Sequence, residues 1–63
     1  KLSERQFEIL RMIGQGKSLN DIAEKLNISA KTVTGYRRRL LDKIGAESNA
    51  QITRYALEHH LLD

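Results

Sequence analysis

The stretch DIAEKLNISAKTV (residues 21–33) decides the fold, because its residue types and spacing describe two helices joined by a tight turn. Ala23 is small enough to let two helices cross closely, and Asn27 tolerates the left-handed backbone conformation that ends helices. Ile28 and Val33 are apolar and are spaced to fill the angle between the two helices. The stretch therefore predicts a very short helix, a turn of three or four residues, and a second helix at a steep angle.

Two helices arranged in this way form a helix-turn-helix, a motif whose second helix enters the major groove of DNA. Further apolar residues at Ile22, Leu26 and Tyr36 complete the wedge between the helices. A plain helical hairpin also places small and apolar residues at these offsets. The wedge by itself favours DNA binding and leaves the hairpin open as an alternative.

Apolar residues at helical spacing extend this pattern over the whole chain and predict helices at about 4–15, 19–26, 30–44 and 49–59. A serine precedes each helix, and three of these serines have a glutamine or an aspartate three positions later, as in a capping box. The three pairs are Ser3–Gln6, Ser18–Asp21 and Ser48–Gln51, and Ser29 caps the third helix. The expected core residues are Phe7, Leu10, Ile13, Ile22, Ala23, Leu26, Val33, Tyr36, Leu40, Ile44, Ile52, Tyr55, Ala56 and His59, with Ile9 and Met12 widening the apolar arc of the first helix. The prediction is an all-α, compact four-helix domain.

The length and composition restrict the function. A chain of 63 residues forms a single domain, residues 1–63, with a small core and little room for a large substrate pocket. It has no cysteine, which excludes disulfides and thiolate zinc sites and is typical of a reducing cytoplasm. No apolar run approaches the roughly 18 residues of a membrane span. We expect a cytoplasmic domain, and the start at Lys1 indicates that it is excised from a longer protein.

Positive charge is concentrated on the third predicted helix. Between Ser29 and Gly45 there are five basic residues and one acidic residue, a local net charge of +4, whereas the rest of the chain sums to −1. Such a concentrated positive field favours a polyanion such as nucleic acid, or an anionic membrane surface. A membrane role would need a free apolar face, and the core uses the apolar residues of this helix. A basic helix that is simply solvated is the ordinary alternative.

The helical periodicity divides the basic residues between different sides of the third helix. At about 100° per residue, the side opposite the apolar stripe comprises Lys31, Thr34, Gly35, Arg38 and Asp42. Arg37 and Arg39 flank this side, so we expect them to reach phosphates, while Arg38 is the best candidate for a base edge. Gly35 in a helix interior costs up to about 1 kcal/mol relative to alanine. Either a close backbone approach to DNA explains it, or it is a tolerated exposed glycine.

Motifs along nearly the whole chain resemble the LuxR/FixJ/NarL type of helix-turn-helix domain. The matching segments are Leu2-Ser3-Glu4-Arg5-Gln6, Ile9-Leu10, Gly16, Asp21-Ile22-Ala23, Leu26, Ile28-Ser29, Lys31-Thr32-Val33, Leu40 and Lys43-Ile44-Gly45. Residues 36–41 and 49–57 resemble the branch found as C-terminal output domains of two-component response regulators. The resemblance implies that the third helix reads double-stranded DNA, that the fourth helix contributes to dimerisation on DNA, and that a receiver domain precedes this domain.

Carried over by position, the resemblance assigns roles to individual residues. It implies base contacts by Thr34, Gly35 and Arg38 and contacts to the DNA backbone by Ser29, Lys31, Thr32 and Tyr36. Arg37, Arg39 and Lys43 join the backbone-contacting group as members of the basic segment. The sequence departs from the family pattern at Gln6, where glutamate is usual, at Leu19-Asn20, and at Arg37, where an apolar residue is frequent. Gly35 offers no side chain to a base, so base reading here differs from the family's usual form.

The fourth helix offers a second surface. Ala50, Thr53 and Leu57 fall opposite its core stripe, where a monomer normally places charges. Two small residues beside a leucine allow symmetry-related helices to approach closely, so we expect a dimer contact there on DNA. A scattered exposed leucine is the alternative.

Other classes of function have little support in the sequence. His59 and His60 are adjacent, with no third ligand at metal-binding spacing and no nucleophile turn for a catalytic triad. We expect no enzyme activity, no metal and no cofactor, and we expect His59 to pack against or cap the last helix. The remaining alternative is a helical protein–protein adaptor that docks its basic helix on an acidic groove.

Overall fold

The computed structural model describes all 63 residues, as four helices and no strand. The helices are α1 (Glu4–Gly14), α2 (Leu19–Leu26), α3 (Ala30–Ile44) and α4 (Asn49–Glu58). The all-α prediction is confirmed, and α2 and α3 have the predicted bounds. α1 and α4 each end one residue early, because Gln15 (φ −84°, ψ 0°) and His59 (φ −103°, ψ 11°) leave helical geometry. None of the four helices is long and apolar enough to span a bilayer.

Serine hydroxyls cap all four helices. At α1, the Ser3 hydroxyl accepts from the Gln6 backbone N–H at 3.1 Å, and the Gln6 side chain accepts from the Ser3 N–H at 2.9 Å. Ser18 and Asp21 make the same reciprocal pair at α2. Such contacts satisfy backbone donors that have no partner inside the helix, and a serine cap contributes about 1 kcal/mol. The chain thus marks its own helix starts.

The third predicted capping box is only half formed. The Ser48 hydroxyl accepts from the Gln51 N–H at 3.2 Å, as expected. The Gln51 side chain, however, accepts from the backbone N–H of Glu47 at 2.8 Å and not from that of Ser48. Ser48 has φ −157°, whereas the other three capping serines have φ near −75°. The different φ changes the direction from which the chain enters α4, and Glu47 takes the place of Ser48 as donor.

The turn between α2 and α3 has the predicted geometry. Asn27 adopts the left-handed conformation (φ 58°, ψ 44°), and the Ile28 N–H returns to the Ala23 carbonyl at 3.0 Å. Ala23 is buried where the helices meet, and Ile28 packs against the core from the turn. Val33 is fully buried on the α3 side of the same wedge. These contacts fix the angle at which α3 leaves α2.

The core lies between α1 and the helices that contact it, α3 and α4, while α2 packs on α3. Its buried side chains are Ile9, Leu10, Ile13, Ile22, Ala23, Val33, Leu40, Ile52 and Ala56. Each fully buried leucine, isoleucine or valine contributes roughly 1.5–3 kcal/mol. Leu26, Tyr36, Ile44 and Tyr55 are half-buried against this core. Two expected core residues were predicted wrongly, because Phe7 and His59 are exposed.

The residues after α4 fold back over α1. The Arg11 guanidinium donates to the Leu61 carbonyl, and the Leu61 N–H donates to the Ala56 carbonyl at 2.8 Å. Leu62 lies over Gly14, so close that a Cβ at this glycine would be 2.9 Å from both Leu62 methyl groups. The tail and the end of α1 are therefore packed against each other, and α1 has neighbours on several sides.

Candidate nucleic-acid interface

α3 is held in the domain by one side only. Val33 and Leu40 are fully buried, and Tyr36 and Ile44 are half-buried beside them. The predicted outer side is exposed at Lys31, Thr34, Arg38 and Asp42, and half-exposed at Gly35. The division of α3 into a core side and an outer side is therefore as the periodicity predicts. Thr32, Arg39 and Lys43 are exposed as well.

The first turn of α3 presents hydroxyl and N–H groups and has no acidic residue. The Ser29 hydroxyl accepts from the Thr32 N–H at 3.0 Å and lies 2.9 Å from the Thr32 hydroxyl. Thr34 donates its hydroxyl hydrogen to the Ala30 carbonyl at 3.0 Å, which leaves the Thr34 oxygen able to accept. The partial positive charge of a helix N-terminus is therefore not neutralised here, an arrangement that favours an anion such as phosphate.

Gly35 has no packing role inside the domain. A Cβ built at this position would meet no other atom within 4 Å, and the residue does not have the positive φ that favours glycine. Neither crowding nor backbone strain accounts for a glycine in the middle of a helix. What the glycine provides is a shallow place on the outer side of α3, flanked by Thr34 and Arg38.

The three consecutive arginines have three different environments. Arg38 is exposed and makes no hydrogen bond or ion pair within the domain. Arg39 holds its guanidinium 5.9 Å from the centre of the Tyr36 ring, within the range of a cation–π contact. Arg37 is half-buried, and its Nε donates to the Asn49 side-chain oxygen at 2.6 Å, which ties α3 to the start of α4. The flanking arginines are thus supported by the fold, while Arg38 remains free.

A fourth cation joins this surface from α1. The Arg5 guanidinium lies 5.8 Å from the Tyr36 ring centre, so one tyrosine ring is shared by Arg5 and Arg39. Arg5 also lies 3.5 Å from the Glu8 carboxylate, a solvent-exposed pair of the kind that contributes little. Sequence reasoning missed Arg5 as a site residue, because its position beside Tyr36 depends on how α1 packs against α3.

The positive charge of α3 is not neutralised by the domain. The ion pairs in the structure are Arg5–Glu8, Arg54–Glu58 and His60–Asp63, and none of them uses a cation of α3. This segment therefore carries five cations and one carboxylate, and none of its cations is paired with a carboxylate of the domain. The field that they produce attracts a polyanion and is screened over about 8–10 Å by physiological salt.

α4 carries the second predicted surface on the side away from the core. Ala50 is exposed and Thr53 half-buried, and Leu57 is the most exposed large apolar side chain in the chain at 59 %. Thr53 donates its hydroxyl hydrogen to the Asn49 carbonyl at 3.0 Å, so it presents mainly its methyl group. An exposed Arg54–Glu58 pair at 3.4 Å borders the patch. The predicted dimer residues therefore form one accessible apolar patch with a charged edge.

Comparison with known families decides the class of the domain. The model of the family described as "Bacterial regulatory proteins, luxR family" matches residues 1–56, which include all of α1 to α3 and most of α4. The chain belongs to the LuxR family. The resemblance stated from the sequence motifs is thereby confirmed, and the chain is a DNA-binding helix-turn-helix domain of a transcription regulator.

Individual LuxR-family relatives are similar over almost the entire domain. The Response regulator UvrY of Escherichia coli K12 is 42 % identical over 60 residues, which are 95 % of this chain and 28 % of UvrY. The Oxygen regulatory protein NreC of Staphylococcus haemolyticus is 42 % identical over 62 residues, 98 % of this chain and 29 % of NreC. NreC of Staphylococcus aureus JH9 is 40 % identical over the same length. The chain thus spans less than a third of the length of these relatives.

The two histidines that follow the matched residues 1–56 have structural partners within the chain. His59 stacks on Tyr55 with ring centres 4.1 Å apart, and its Nδ1 is 2.9 Å from the Tyr55 carbonyl. His60 lies 3.5 Å from the Asp63 carboxylate. The expectation that His59 packs against or caps the last helix is confirmed, although the residue remains exposed to solvent.

Proposed function

We propose that this chain is the output domain of a bacterial two-component response regulator and that it binds double-stranded DNA in a sequence-specific manner, with α3 in the major groove. One observation carries the proposal. α3 is anchored by a single buried side, and its opposite side combines unpaired cations with a glycine that no internal contact requires. An α-helix fits the major groove of B-DNA, and such a helix presents its outer side to the base edges.

Within this arrangement the outer residues divide into two groups. Thr34, Gly35 and Arg38 face the bases: the free Arg38 guanidinium can bind guanine O6 and N7 through two hydrogen bonds, and Gly35 lets the backbone approach. The residues that contact the phosphate backbone are Ser29, Lys31, Thr32, Tyr36, Arg37, Arg39 and Lys43, with Arg5 added from α1. Backbone contacts set the position of the helix and supply affinity, while base contacts supply sequence preference.

The supports of the flanking arginines give the backbone contacts a physical basis. Arg37 uses Nε for Asn49, and its terminal nitrogens make no hydrogen bond within the domain and are available to a phosphate. Tyr36 restrains Arg5 and Arg39 through its ring. A side chain that is already restrained loses less conformational entropy when it binds, so these arginines bind phosphate at a lower entropic cost than free ones.

We further propose that two copies pair on DNA through the α4 patch of Ala50, Thr53 and Leu57. Three side chains bury at most a few hundred Å², well below the ~1,000 Å² of a stable interface, so the free domain is monomeric. Two adjacent half-sites on DNA raise the effective concentration of one domain beside the other, and a weak contact then becomes significant.

The relatives support the regulatory context of this proposal. UvrY is named as a response regulator, and this chain matches little more than a quarter of its length. We propose that in the full protein a receiver domain precedes residues 1–63 and controls DNA binding in the cytoplasm. The domain needs no cofactor or metal for this activity and carries out no catalysis.

Salt-dependent titration tests the proposal and separates it from the adaptor alternative. The domain is titrated against a duplex enriched from a random library and against a scrambled duplex, at several salt concentrations. With about five to seven phosphate contacts, log affinity falls linearly with log salt with a slope of roughly −4.5 to −6.3. A protein–protein adaptor has no duplex affinity at physiological salt, and that result would refute the proposal. Equal affinity for both duplexes would refute its sequence specificity.

A further inference from the structure

A cavity of about 250 Å³ lies between the end of α1, the start of α2, the middle of α3 and the start of α4. The apolar residues that line it are Ile13, Leu19, Ile22 and Val33, and the polar ones are Lys17, Thr34, Arg37 and Asn49. Ile13, Ile22 and Val33 belong to the buried core and close the bottom of the cavity with at most 6 % of their surface accessible, so the apolar surface open to a ligand is mainly that of Leu19, which is 40 % exposed. The volume is slightly below the ~300–1,000 Å³ of sites for drug-sized ligands.

The charges around this cavity all have one sign. Lys17 and Arg37 contribute two cations, and no carboxylate is among the lining residues. Neither cation forms an ion pair in the domain. Lys17 also borders a shallow neighbouring groove that includes Asp21 and Glu24, yet it pairs with neither carboxylate. A ligand here would therefore meet two unpaired positive charges.

Hydrogen-bond donors are available at the same place. Arg37 donates through Nε to the Asn49 side-chain oxygen, a contact that fixes the guanidinium and orients the amide group. The other guanidinium nitrogens and the Asn49 amide nitrogen are donors without a partner inside the domain. Planar guanidinium groups match carboxylates closely, because two parallel N–H donors can meet the two carboxylate oxygens.

We propose that this cavity is a binding site for a small amphipathic anion, such as a carboxylate with a short hydrocarbon chain. The carboxylate would be held by Lys17, Arg37 and the Asn49 amide, and the short hydrocarbon would lie mainly against Leu19. An apolar floor with a few convergent polar groups is the usual composition of a small-molecule site. A DNA phosphate also carries negative charge, but it has no apolar chain to use the Leu19 wall.

Occupancy of the cavity also competes with DNA. Thr34 lies in the proposed base-contacting group and Arg37 in the proposed backbone-contacting group, and both line the cavity. An anion bound to Arg37 neutralises a charge that the DNA backbone would use and occupies space beside Thr34. This second half of the inference rests on the proposed function, whereas binding of the anion to the free domain does not.

Binding is measured on the free 63-residue domain by amide and methyl NMR titration with hexanoate, hexylammonium and inorganic phosphate. Hexanoate should produce saturable shifts that are largest at Ile13, Leu19 and Val33, while hexylammonium should not saturate. Phosphate should bind more weakly than hexanoate, because it makes no apolar contact. Equal responses to hexanoate and hexylammonium, or phosphate binding as tight as hexanoate binding, would overturn the proposal.

Two variants in the cavity and one control variant outside it locate the site. Lys17→Gln should weaken hexanoate about three- to tenfold, as expected for one charge-assisted contact that is partly exposed to water. Lys25→Gln, the same change on the exposed far end of α2, should leave hexanoate affinity unchanged. Leu19→Ser removes the apolar wall and should weaken hexanoate without altering phosphate binding. Equal hexanoate affinity in Lys17→Gln and Lys25→Gln, with NMR spectra showing that both variants are folded, would overturn the assignment.

A duplex titration in the presence of saturating hexanoate tests the competition. The duplex affinity of the native chain should fall, with sodium chloride at the same ionic strength as the control, and that of Lys17→Gln should fall less. An unchanged duplex affinity in hexanoate would overturn the competition. Hexanoate binding by a domain that binds no duplex at all would refute the proposed function and leave the ligand site intact.

Discussion

Replacing Gly35 separates what this position does for helix stability from what it does for DNA binding. The site accepts a side chain, because an added Cβ meets no atom within 4 Å and the backbone φ is not positive. Gly35→Ala should therefore stabilise the domain by about 0.5–1 kcal/mol, the difference in helix propensity between the two residues. Gly35→Gln should be nearly as stabilising, because glutamine is also a good helix former.

The expected stabilisation is large enough to measure by thermal unfolding. At about 2.1 cal/mol/K per residue, a chain of 63 residues has an unfolding entropy of roughly 0.13 kcal/mol/K. A gain of about 0.5–1 kcal/mol then raises Tm by about 4–8 °C. Gly45→Ala is the matched control, because it also meets no atom within 4 Å but has φ +71°. It should lower Tm, since alanine in the left-handed conformation costs about 1–2 kcal/mol.

DNA binding should separate the two variants at Gly35. The glutamine side chain projects from the outer side of α3 into the space where the backbone would approach the bases, so duplex affinity should fall about tenfold or more, or roughly 1.4 kcal/mol. A single methyl group in Gly35→Ala should cost much less. If folded Gly35→Gln binds the enriched duplex as tightly as the native chain, the glycine is not there for DNA. If Gly35→Ala fails to raise Tm, the estimate of its cost to the helix is wrong.

Three other predictions test the remaining parts of the interface and the fold. Arg38→Ala should lower the affinity ratio between enriched and scrambled duplexes by about tenfold, within the ~1–3 kcal/mol of a bidentate base contact. Arg39→Ala should weaken binding to both duplexes alike. An unchanged ratio in Arg38→Ala would contradict the base assignment. Leu57→Glu should leave Tm and binding to one half-site nearly unchanged and reduce cooperative binding to two half-sites in matched titrations; equal cooperativity would place the dimer contact elsewhere. Gly14→Ala should be about 0.5–1 kcal/mol more stabilising in a Leu62→Ala background than in the native chain, because in the native chain the new Cβ would lie 2.9 Å from the Leu62 methyl groups. If the stability changes of the two substitutions, measured by chemical denaturation, are additive, the tail moves away freely.

Local chemistry made most of the fold predictable. The turn at Asn27, the serine caps and the bounds of α2 and α3 each depend on residues within five positions of one another, and the structure confirms them. Phe7 was misplaced because a periodic pattern does not show which part of a wide apolar arc will be covered. Viewed down the axis of α1, the buried side is centred on the direction midway between Ile9 and Leu10. At 100° per residue, the Phe7 side chain points roughly 110° away from that direction.

In the candidate site, too, the features that depend on one helix were predictable from the sequence, and those that depend on how helices pack were not. The outer side of α3 followed from the helical period alone, because only one helix is involved. The contacts of Arg37 with Asn49 and of Arg5 with Tyr36 join residues 12 and 31 positions apart, and they depend on how whole helices pack. The cavity next to Lys17 requires four segments to meet, and no local pattern in the sequence indicates it.

In α3, the residues that maintain the fold lie on the core side, and the residues proposed to set the binding preference lie on the outer side. Val33 and Leu40 are buried, so their replacement carries a penalty in stability. A Cβ at Gly35 would meet no other atom within 4 Å, Arg38 makes no hydrogen bond or ion pair in the domain, and the Thr34 hydroxyl donates only to the Ala30 carbonyl of its own helix. Under the proposed function, exchanges at these positions would alter operator choice at little cost in folding stability. With those base contacts, a duplicated copy of the domain would acquire new target genes through one or two substitutions while its scaffold stays unchanged.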